Sequence, residues 1–284
     1  MGVEQKDMSG QNPAYGPRDG AAGASELPKD KVLVLDFGSQ VSHLICRRIR
    51  EANVYSELMS CTESLEKMKA FGPKGVILSG GPSSVYEEGS PHVPDGFFNW
   101  VIQENLPLLG ICYGLQEMSH QNGGKVEPGE KKEYGHAMVT IREKDNLLFK
   151  HCDTNEVKCW MSHGDKVTAL PAGFKTVAST DNCEFAAVAA TNRKWWGLQY
   201  HPEVTHTHTG GQMIKNFVCD PEGCGCAPGW SMADYLAKQQ ARIKQMVEQK
   251  EKEQGAPCYV VAALSGGAPF YFYFLHSPEH LSHV

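Results

Sequence analysis

The chain lacks the apolar runs of a membrane protein and the positive charge of a nucleic-acid-binding protein. A transmembrane helix needs about 20 consecutive apolar residues, and no such run occurs in the 284 residues. The first residues are polar, so we expect no signal peptide. The net charge of −6 argues against nucleic acids and anionic membranes as partners. We therefore expect a globular, cytoplasmic protein.

The chain also lacks the cysteine spacing of a disulfide framework or a structural zinc site. Ten cysteines are spread over the sequence, and without a secretory signal we expect reduced thiols. Two groups of possible metal ligands occur: His201, Glu203, His206 and His208 in one, and Cys219, Cys224 and Cys226 in the other. Neither group has the paired cysteines of a zinc knuckle. We therefore predict no metal site.

The order of apolar segments predicts an α/β domain. Residues 1–30 are rich in glycine, proline, alanine and charge, and we expect them to be disordered. From residue 31, short apolar strands alternate with helical segments, which is typical of a parallel sheet covered by helices. Residues 124–200 are richer in strands. We predict a mostly parallel, open sheet in a domain that spans residues 31–220.

A linker and an amphipathic helix are expected at residues 221–257. The linker is rich in glycine, proline and cysteine, and Ser231 can cap the helix that follows. The apolar residues on one face of this helix are Met232, Tyr235, Leu236, Ile243, Met246 and Val247. We interpret the apolar run at 258–264 as the first strand of a further domain. Within residues 258–284 that domain is expected to be cut short and followed by unrelated sequence.

The most informative segment is Gly110-Ile-Cys-Tyr-Gly114, which ends an apolar strand. Its glycines permit the tight strand-to-helix turn of a nucleophile elbow, whose apical residue has a strained backbone. Cys112 would be that residue, at a helix N-terminus that stabilises a thiolate. The N–H of Tyr113 could then donate to an oxyanion. On this segment alone, an ordinary glycine-rich turn with a small buried cysteine is an equally good interpretation.

A base for this thiol follows another apolar strand, in the segment His201-Pro202-Glu203. In an extended segment, residues two apart lie on the same face, so Glu203 could orient the imidazole of His201. A thiol, an imidazole and a carboxylate in this relation form a nucleophile with its base. We therefore predict a triad of Cys112, His201 and Glu203.

A second oxyanion donor is expected in Ser79-Gly80-Gly81, just after the apolar strand at residues 75–78. Adjacent glycines let the backbone approach a ligand closely. We predict that the N–H of Gly81 completes the oxyanion hole that Tyr113 begins.

These segments, in this order and spacing, resemble the class I (triad) glutamine amidotransferases. The strings that carry the resemblance are SGGP, GICYGLQ and LQYHPE. Four further strings, VLVLDFGSQ, KEYGHA, WMSHGDKV and HPEVTHT, are most similar to the amidotransferase domains of the GMP synthase family. The resemblance covers roughly residues 31–267. It implies a flavodoxin-like core and glutamine as the substrate.

The resemblance also implies residue roles, cofactors and partners. The residues that would bind glutamine are Gly80, Ser162 and His163. Gln116, one helical turn beyond Cys112, is also expected to bind glutamine as a polar anchor for its amide. No cofactor would be needed for the hydrolysis, whereas ATP and Mg serve the ATP pyrophosphatase synthetase domain or subunit that receives the ammonia and aminates XMP. The phosphate-binding loop of that domain would begin at Ser265-Gly266-Gly267, but Ala268 and Pro269 replace the polar residues that should follow. We therefore expect this chain not to bind ATP.

Two other functions fit the same residues. A Cys–His–Glu hydrolase of this fold could act on γ-glutamyl compounds or peptides, and a preference for them over glutamine would identify it. A non-catalytic domain could instead bind a separate synthetase chain, although an intact triad argues against a loss of chemistry.

Overall fold

The computed structural model describes residues 27–255, residue 257 and the strands at 260–263 and 272–275. Most of the segment predicted to be disordered, and the predicted phosphate-binding loop at 265–267, lie outside the described residues. One compact unit contains Pro28–Gly229, and a second begins at Trp230. The first unit thus extends beyond the domain boundary predicted at residue 220.

Strands and helices alternate in the first part of the Pro28–Gly229 unit. In chain order they are β1 (Lys31–Asp36), α1 (Ser42–Glu51), β2 (Tyr55–Ser60), α2 (Leu65–Phe71), β3 (Gly75–Leu78), α3 (Phe97–Gln103), β4 (Leu108–Ile111) and α4 (Tyr113–Gln121). This alternation confirms the predicted pattern. Every residue of β3 and β4 is buried, as expected for strands with both faces covered.

The second part of this unit is dominated by strands. They are β5 (Lys125–Ile141), β6 (Glu156–Ala169), β7 (Phe174–Ser179), β8 (Ala187–Ala190) and β9 (Trp195–Leu198), followed by helix α5 (Gly210–Cys219). A short 3-10 helix at Leu147–Phe149 lies between β5 and β6.

All nine strands form one sheet in the order β2-β1-β3-β4-β9-β8-β7-β5-β6. The pairs among β2, β1, β3, β4 and β9 are parallel, and the strands from β8 to β6 continue the sheet in antiparallel pairs. The α/β class is confirmed, with an antiparallel extension larger than predicted. Ligand sites in open α/β sheets lie beyond the carboxyl ends of parallel strands. β4 lies between β3 and β9, so the segments after these three strands meet at one edge.

The second unit contains helix α6 (Met232–Gln254) and a small sheet. Ser231 caps the helix, because its Oγ accepts the Asp234 N–H at 3.1 Å. The predicted helix is confirmed, and the exposed large apolar side chains on it are Met232, Leu236, Ile243 and Met246. Strands β10 (Val260–Ala263) and β11 (Phe272–Leu275) pair in antiparallel fashion. Among the described residues, no helix has the length and apolar content needed to cross a membrane.

Candidate active site

Cys112 lies at the turn between β4 and α4. Its backbone has φ +51° and ψ −105°, and the residue is the N-cap of α4. A positive φ is strained for a residue with a Cβ atom and is often found at functional sites. The Cys112 N–H donates to the Leu198 carbonyl at 2.7 Å, which ties the turn to the end of β9. The local geometry is therefore that of a nucleophile elbow.

The two glycines of this turn are required by close backbone contacts. A Cβ atom added to Gly110 would lie 2.6 Å from the Gly114 carbonyl oxygen, and one added to Gly114 would lie 2.3 Å from the Leu78 carbonyl oxygen. The Gly114 N–H also donates to the Ser79 carbonyl at 3.0 Å. Only glycines at these positions allow the first turn of α4 to pack directly on β3 and β4.

The Cys112 thiol is enclosed by backbone and side-chain groups, with the residue only 5% exposed. Its Sγ donates to the Ser162 carbonyl and accepts the Gln199 Nε2 hydrogen bond, both at 3.8 Å. Gly80 leaves room for the base, since a Cβ atom there would lie 3.0 Å from His201 Cε1 and 3.7 Å from Cys112 Cβ. Sequence reasoning missed Gln199, although it lies within the LQYHPE string.

His201 and Glu203 form a buried pair. The His201 Nδ1 lies 2.8 Å from Glu203 Oε1, and Glu203 is fully buried. The predicted contact therefore exists. Glu203 lies in a bend after β9 and His201 directly precedes this bend, so neither residue belongs to a strand. The bend is held by Arg48, whose Nε donates to the Glu203 carbonyl at 3.0 Å, and by the His201 N–H, which donates to the Trp160 carbonyl at 3.0 Å.

The charge state of His201 suits a partner for a thiolate. Burial alone would lower its pKa, but hydrogen bonds with Cys112 and Glu203 outweigh burial and raise the pKa well above 6.5. The second oxygen of Glu203, Oε2, is buried without a hydrogen-bond partner in the described part of the chain. The imidazole of His201 is therefore the one hydrogen-bond partner of the Glu203 carboxylate among the described residues.

Two backbone N–H groups adjoin residues of this site, since Gly81 follows Gly80 and Tyr113 follows Cys112. Within residues 27–255, neither the Gly81 N–H nor the Tyr113 N–H donates to a protein acceptor. The two residues are neighbours, since a Cβ atom on Gly81 would lie 3.3 Å from Tyr113 Cγ. Unpaired N–H groups beside a nucleophile can stabilise the oxyanion of a tetrahedral intermediate.

Comparison with known proteins agrees with this geometry. Residues 33–220 match the family model "Glutamine amidotransferase class-I". The chain belongs to the class I glutamine amidotransferases. It is 49% identical over 238 residues to the GMP synthase [glutamine-hydrolyzing] of Yarrowia lipolytica, an alignment that covers 84% of this chain and 42% of the relative. It is 47% identical over 244 residues to the GMP synthase [glutamine-hydrolyzing] of Acinetobacter baylyi, an alignment that covers 86% of this chain and 42% of the relative.

A solved structure supports the same assignment. It is a Thermoplasma acidophilum protein described as one subunit of a GMP synthase, with a TM-score of 0.59 and 29% sequence identity. The similarity covers 74% of this chain and 97% of that protein. By contrast, this chain spans less than half the length of the two GMP synthases, since 42% of each is covered.

Of the predicted glutamine-binding residues of this amidotransferase, two lie against the thiol and two are engaged elsewhere. Gly80 lies against Cys112 and His201, and Ser162 contributes its carbonyl to the thiol. Gln116 is buried, and its Nε2 donates to the Asp165 carbonyl at 3.0 Å, so its amide nitrogen is already engaged. His163 is directed to the same carbonyl, with Nδ1 at 3.0 Å, and not to the thiol.

Asp165 connects these residues to a loop, and sequence reasoning missed this role. Its carbonyl oxygen is the acceptor for both Gln116 and His163. Its carboxylate accepts the Ser84 hydroxyl at 2.5 Å and the Tyr86 hydroxyl at 3.0 Å. Asp165 therefore ties the loop after Gly81 to β6. The sequence feature that could have indicated this role is the position of Asp165 in the WMSHGDKV string.

The amidotransferase domain contains a second Cys–His–Glu group, formed by Cys183, His163 and Glu133. Cys183 lies in the turn between β7 and β8, not at a helix N-terminus. Burial raises the pKa of its thiol to about 12, so it is a poor nucleophile. Cys112 is therefore the better candidate for the nucleophile.

The two metal-ligand groups considered in the sequence have other arrangements. His206 packs against the Trp160 ring, with centroids 4.5 Å apart, and His201 is engaged by Glu203. In the described part of the chain, neither group brings three ligand atoms together.

Proposed function

We propose that this domain hydrolyses glutamine to glutamate and ammonia. The Cys112 thiolate attacks the side-chain amide carbon, and the N–H groups of Gly81 and Tyr113 stabilise the tetrahedral oxyanion. The protonated His201, oriented by Glu203, gives its proton to the departing ammonia and leaves a thioester. His201 then takes a proton from water, which attacks the thioester and releases glutamate. Collapse of the second tetrahedral intermediate expels the Cys112 thiolate while His201 keeps the proton that it took from water. The starting thiolate–imidazolium pair is thereby restored, and the product carboxylic acid loses its proton to solvent.

One observation supports this proposal. The strained Cys112, the buried His201–Glu203 pair with its 2.8 Å contact, and the unpaired N–H groups of Gly81 and Tyr113 all belong to segments that follow three adjacent strands. Each oxyanion donor is expected to lower the barrier by about 3 kcal/mol.

We further propose that the ammonia passes to an ATP-dependent synthetase that aminates XMP to GMP. The similarity to two glutamine-hydrolysing GMP synthases supports this acceptor. The Thermoplasma protein, which is described as a GMP synthase subunit, is matched over 97% of its length and supports a synthetase partner on a separate chain. ATP and Mg would serve that partner, whereas the hydrolysis itself would need no cofactor. The nine cysteines that are free thiols in the described residues support a reducing, cytoplasmic location.

The test is glutamate release by the purified chain, alone and with the separately expressed synthetase half of a GMP synthase plus XMP, ATP and Mg. We expect release that is greater with the synthetase half, and none with Cys112→Ala. Faster cleavage of γ-glutamyl peptides than of glutamine would instead identify a γ-glutamyl hydrolase. Activity that survives Cys112→Ala would reject the nucleophile.

A further inference from the structure

The long β5–β6 pair assembles a ligand cluster that the proposed hydrolysis does not use. Glu133 and His163 are direct cross-strand partners, just past a register shift between Pro128 and Glu133. Cys183 reaches them from the turn between β7 and β8. One ligand atom from each of the three residues lies within 4.8 Å of the other two. The Glu133 and His163 side chains are 10% and 4% exposed, and Cys183 is buried.

The hydrogen bonding of this cluster leaves a place for a cation. The His163 Nδ1 faces the Asp165 carbonyl, which only accepts, so Nδ1 carries the proton. With the proton on Nδ1, the neutral imidazole presents a lone pair at Nε2. That atom lies 3.0 Å from Glu133 Oε2, a carboxylate oxygen. Both atoms are buried, and apart from this contact with each other neither has a hydrogen-bond partner among the described residues.

We propose that Glu133, His163 and Cys183 bind a divalent metal ion of the zinc type. Thiolate, imidazole and carboxylate are the ligands that Zn²⁺ takes in proteins, and three protein ligands leave a fourth position for water. The Asp165 carbonyl orients the ring, as acceptors behind metal-bound histidines commonly do. On binding, the Cys183 thiol releases its proton to solvent as the S–metal bond forms.

The Glu133–His163 pair needs little adjustment for this ion. Ligand atoms at tetrahedral angles about Zn²⁺ are about 3.4 Å apart, so the 3.0 Å pair of Glu133 and His163 must open by a few tenths of an ångström. The site borders the nucleophile, because the neighbouring residue Ser162 accepts the Cys112 thiol hydrogen bond. No sequence motif indicates this site, because its members come from three separate segments.

Cobalt binding to the full chain tests the proposal. A Cys112→Ser background removes the active-site thiol as a competing ligand. In this background we expect one equivalent of Co²⁺ to give a thiolate charge-transfer band and the visible bands of tetrahedral cobalt, both removed by Zn²⁺. Adding Cys183→Ala should abolish the charge-transfer band and weaken Zn²⁺ binding, measured against a chromophoric chelator, at least about 10-fold. The control Cys159→Ala, another buried cysteine, should preserve the band and the affinity.

A second variant keeps the test decisive if Cys183→Ala folds poorly. Glu133→Gln, also in the Cys112→Ser background, preserves side-chain volume and the thiol, so it should retain the band but weaken Zn²⁺ binding at least about 10-fold. With Cys112 present, metal-free Cys183→Ala should hydrolyse glutamine at the wild-type rate. An unchanged Zn²⁺ affinity in either ligand variant would overturn the site. So would absence of the thiolate band in the Cys112→Ser protein, and the Glu133–His163 contact would then be a pair that shares a proton.

Discussion

At the scale of single residues, the positive φ angle of Cys112 is a feature that core packing alone does not require. A φ of +51° is unfavourable for any residue with a Cβ atom, by about 1–3 kcal/mol. The contacts of Gly110 and Gly114 with neighbouring backbone hold the turn in place. The strained turn places the thiol at the start of α4, between the Ser162 carbonyl and the Gln199 amide. The surrounding backbone maintains this strain, and the strained turn positions a thiol at a helix N-terminus. We therefore interpret the strain at Cys112 as functional.

Replacing Cys112 separates this strain from the chemistry. Both Cys112→Ala and Cys112→Gly should abolish glutamine hydrolysis, because neither has a nucleophile. Cys112→Gly should be more stable to urea than Cys112→Ala by about 1 kcal/mol, since relief of strain exceeds the entropy that glycine adds to the unfolded chain. Glutamate release and urea unfolding of both variants measure the two effects. Equal stability of the variants would mean that the turn is not strained.

The base and its orienting acid should differ in importance. His201→Ala removes the group that transfers the proton, so its activity should fall as far as that of Cys112→Ala. Glu203→Gln keeps the base and weakens its orientation, so it should retain roughly 10- to 100-fold more activity than His201→Ala. Steady-state glutamate release gives the order. The reverse order would show that Glu203 has a role beyond orienting His201.

The protonation of His201 predicts how stability depends on pH. Its pKa in the folded protein is raised above 6.5 by Cys112 and Glu203, against the effect of burial. Its contribution to stability is therefore complete below pH 6.5 and declines as the pH rises through the folded-state pKa. Histidine NMR of ¹⁵N-labelled protein should show His201 titrating above 6.5, and Glu203→Gln should lower that pKa. Titration of His201 at or below 6.5 in the wild type would contradict the proposed charge state.

At the scale of elements, the sequence predicts best those strands and helices whose position depends on the local pattern of apolar residues and glycines. Strands β3 and β4 are short buried runs followed by glycine or by the elbow, and both could be located from the sequence. The β5–β6 pair could not be, because apolar residues on its exposed face, such as Tyr134 and Met138, hide the alternation of buried and exposed positions. Its register shift, which sets Glu133 opposite His163, depends on pairing across the sheet.

The start of helix α5 shows how one element positions the base. A Cβ atom on Gly210 would lie 1.9 Å from the Pro202 carbonyl oxygen, so this helix packs directly under the His-Pro-Glu bend. Gly211, the next residue, has no atom within 4 Å of an added Cβ. The two neighbouring glycines therefore form a matched pair for mutation.

Gly210→Ala should displace the backbone of Pro202, and with it the side chains of its neighbours His201 and Glu203. We expect a loss of glutamine hydrolysis of at least about 10-fold, because small misplacements of catalytic groups are costly, together with a lower unfolding temperature. Gly211→Ala should preserve activity and stabilise the helix by up to about 1 kcal/mol. Activity and thermal unfolding of both variants are the measurements. If Gly210→Ala behaves like Gly211→Ala, the packing of α5 does not position the base.

At the scale of the whole molecule, the extent of the folded unit differs from the extent of the family match. The match ends at residue 220, where the sequence also predicts a boundary, but the compact unit continues to Gly229. The connector packs on the sheet, since a Cβ atom on Gly75 would lie 2.2 Å from the Cys224 Sγ. The Cys224 N–H donates to the Phe217 carbonyl at 2.8 Å, and the Gly229 N–H donates to the Asn53 carbonyl at 3.0 Å.

Two fragments distinguish these boundaries. A fragment of residues 28–229 keeps the triad and the connector, so it should unfold cooperatively. A fragment of residues 28–220 loses the buried Cys224 and Cys226, and should therefore be less stable by about 2 kcal/mol or more, since each buried side chain contributes on this scale. Urea unfolding of both fragments, with alkylation of Cys112 by iodoacetamide as the probe of an intact elbow, gives the comparison. Equal stability of the two fragments would place the boundary at residue 220, because the connector would then contribute nothing to the fold that holds the active site.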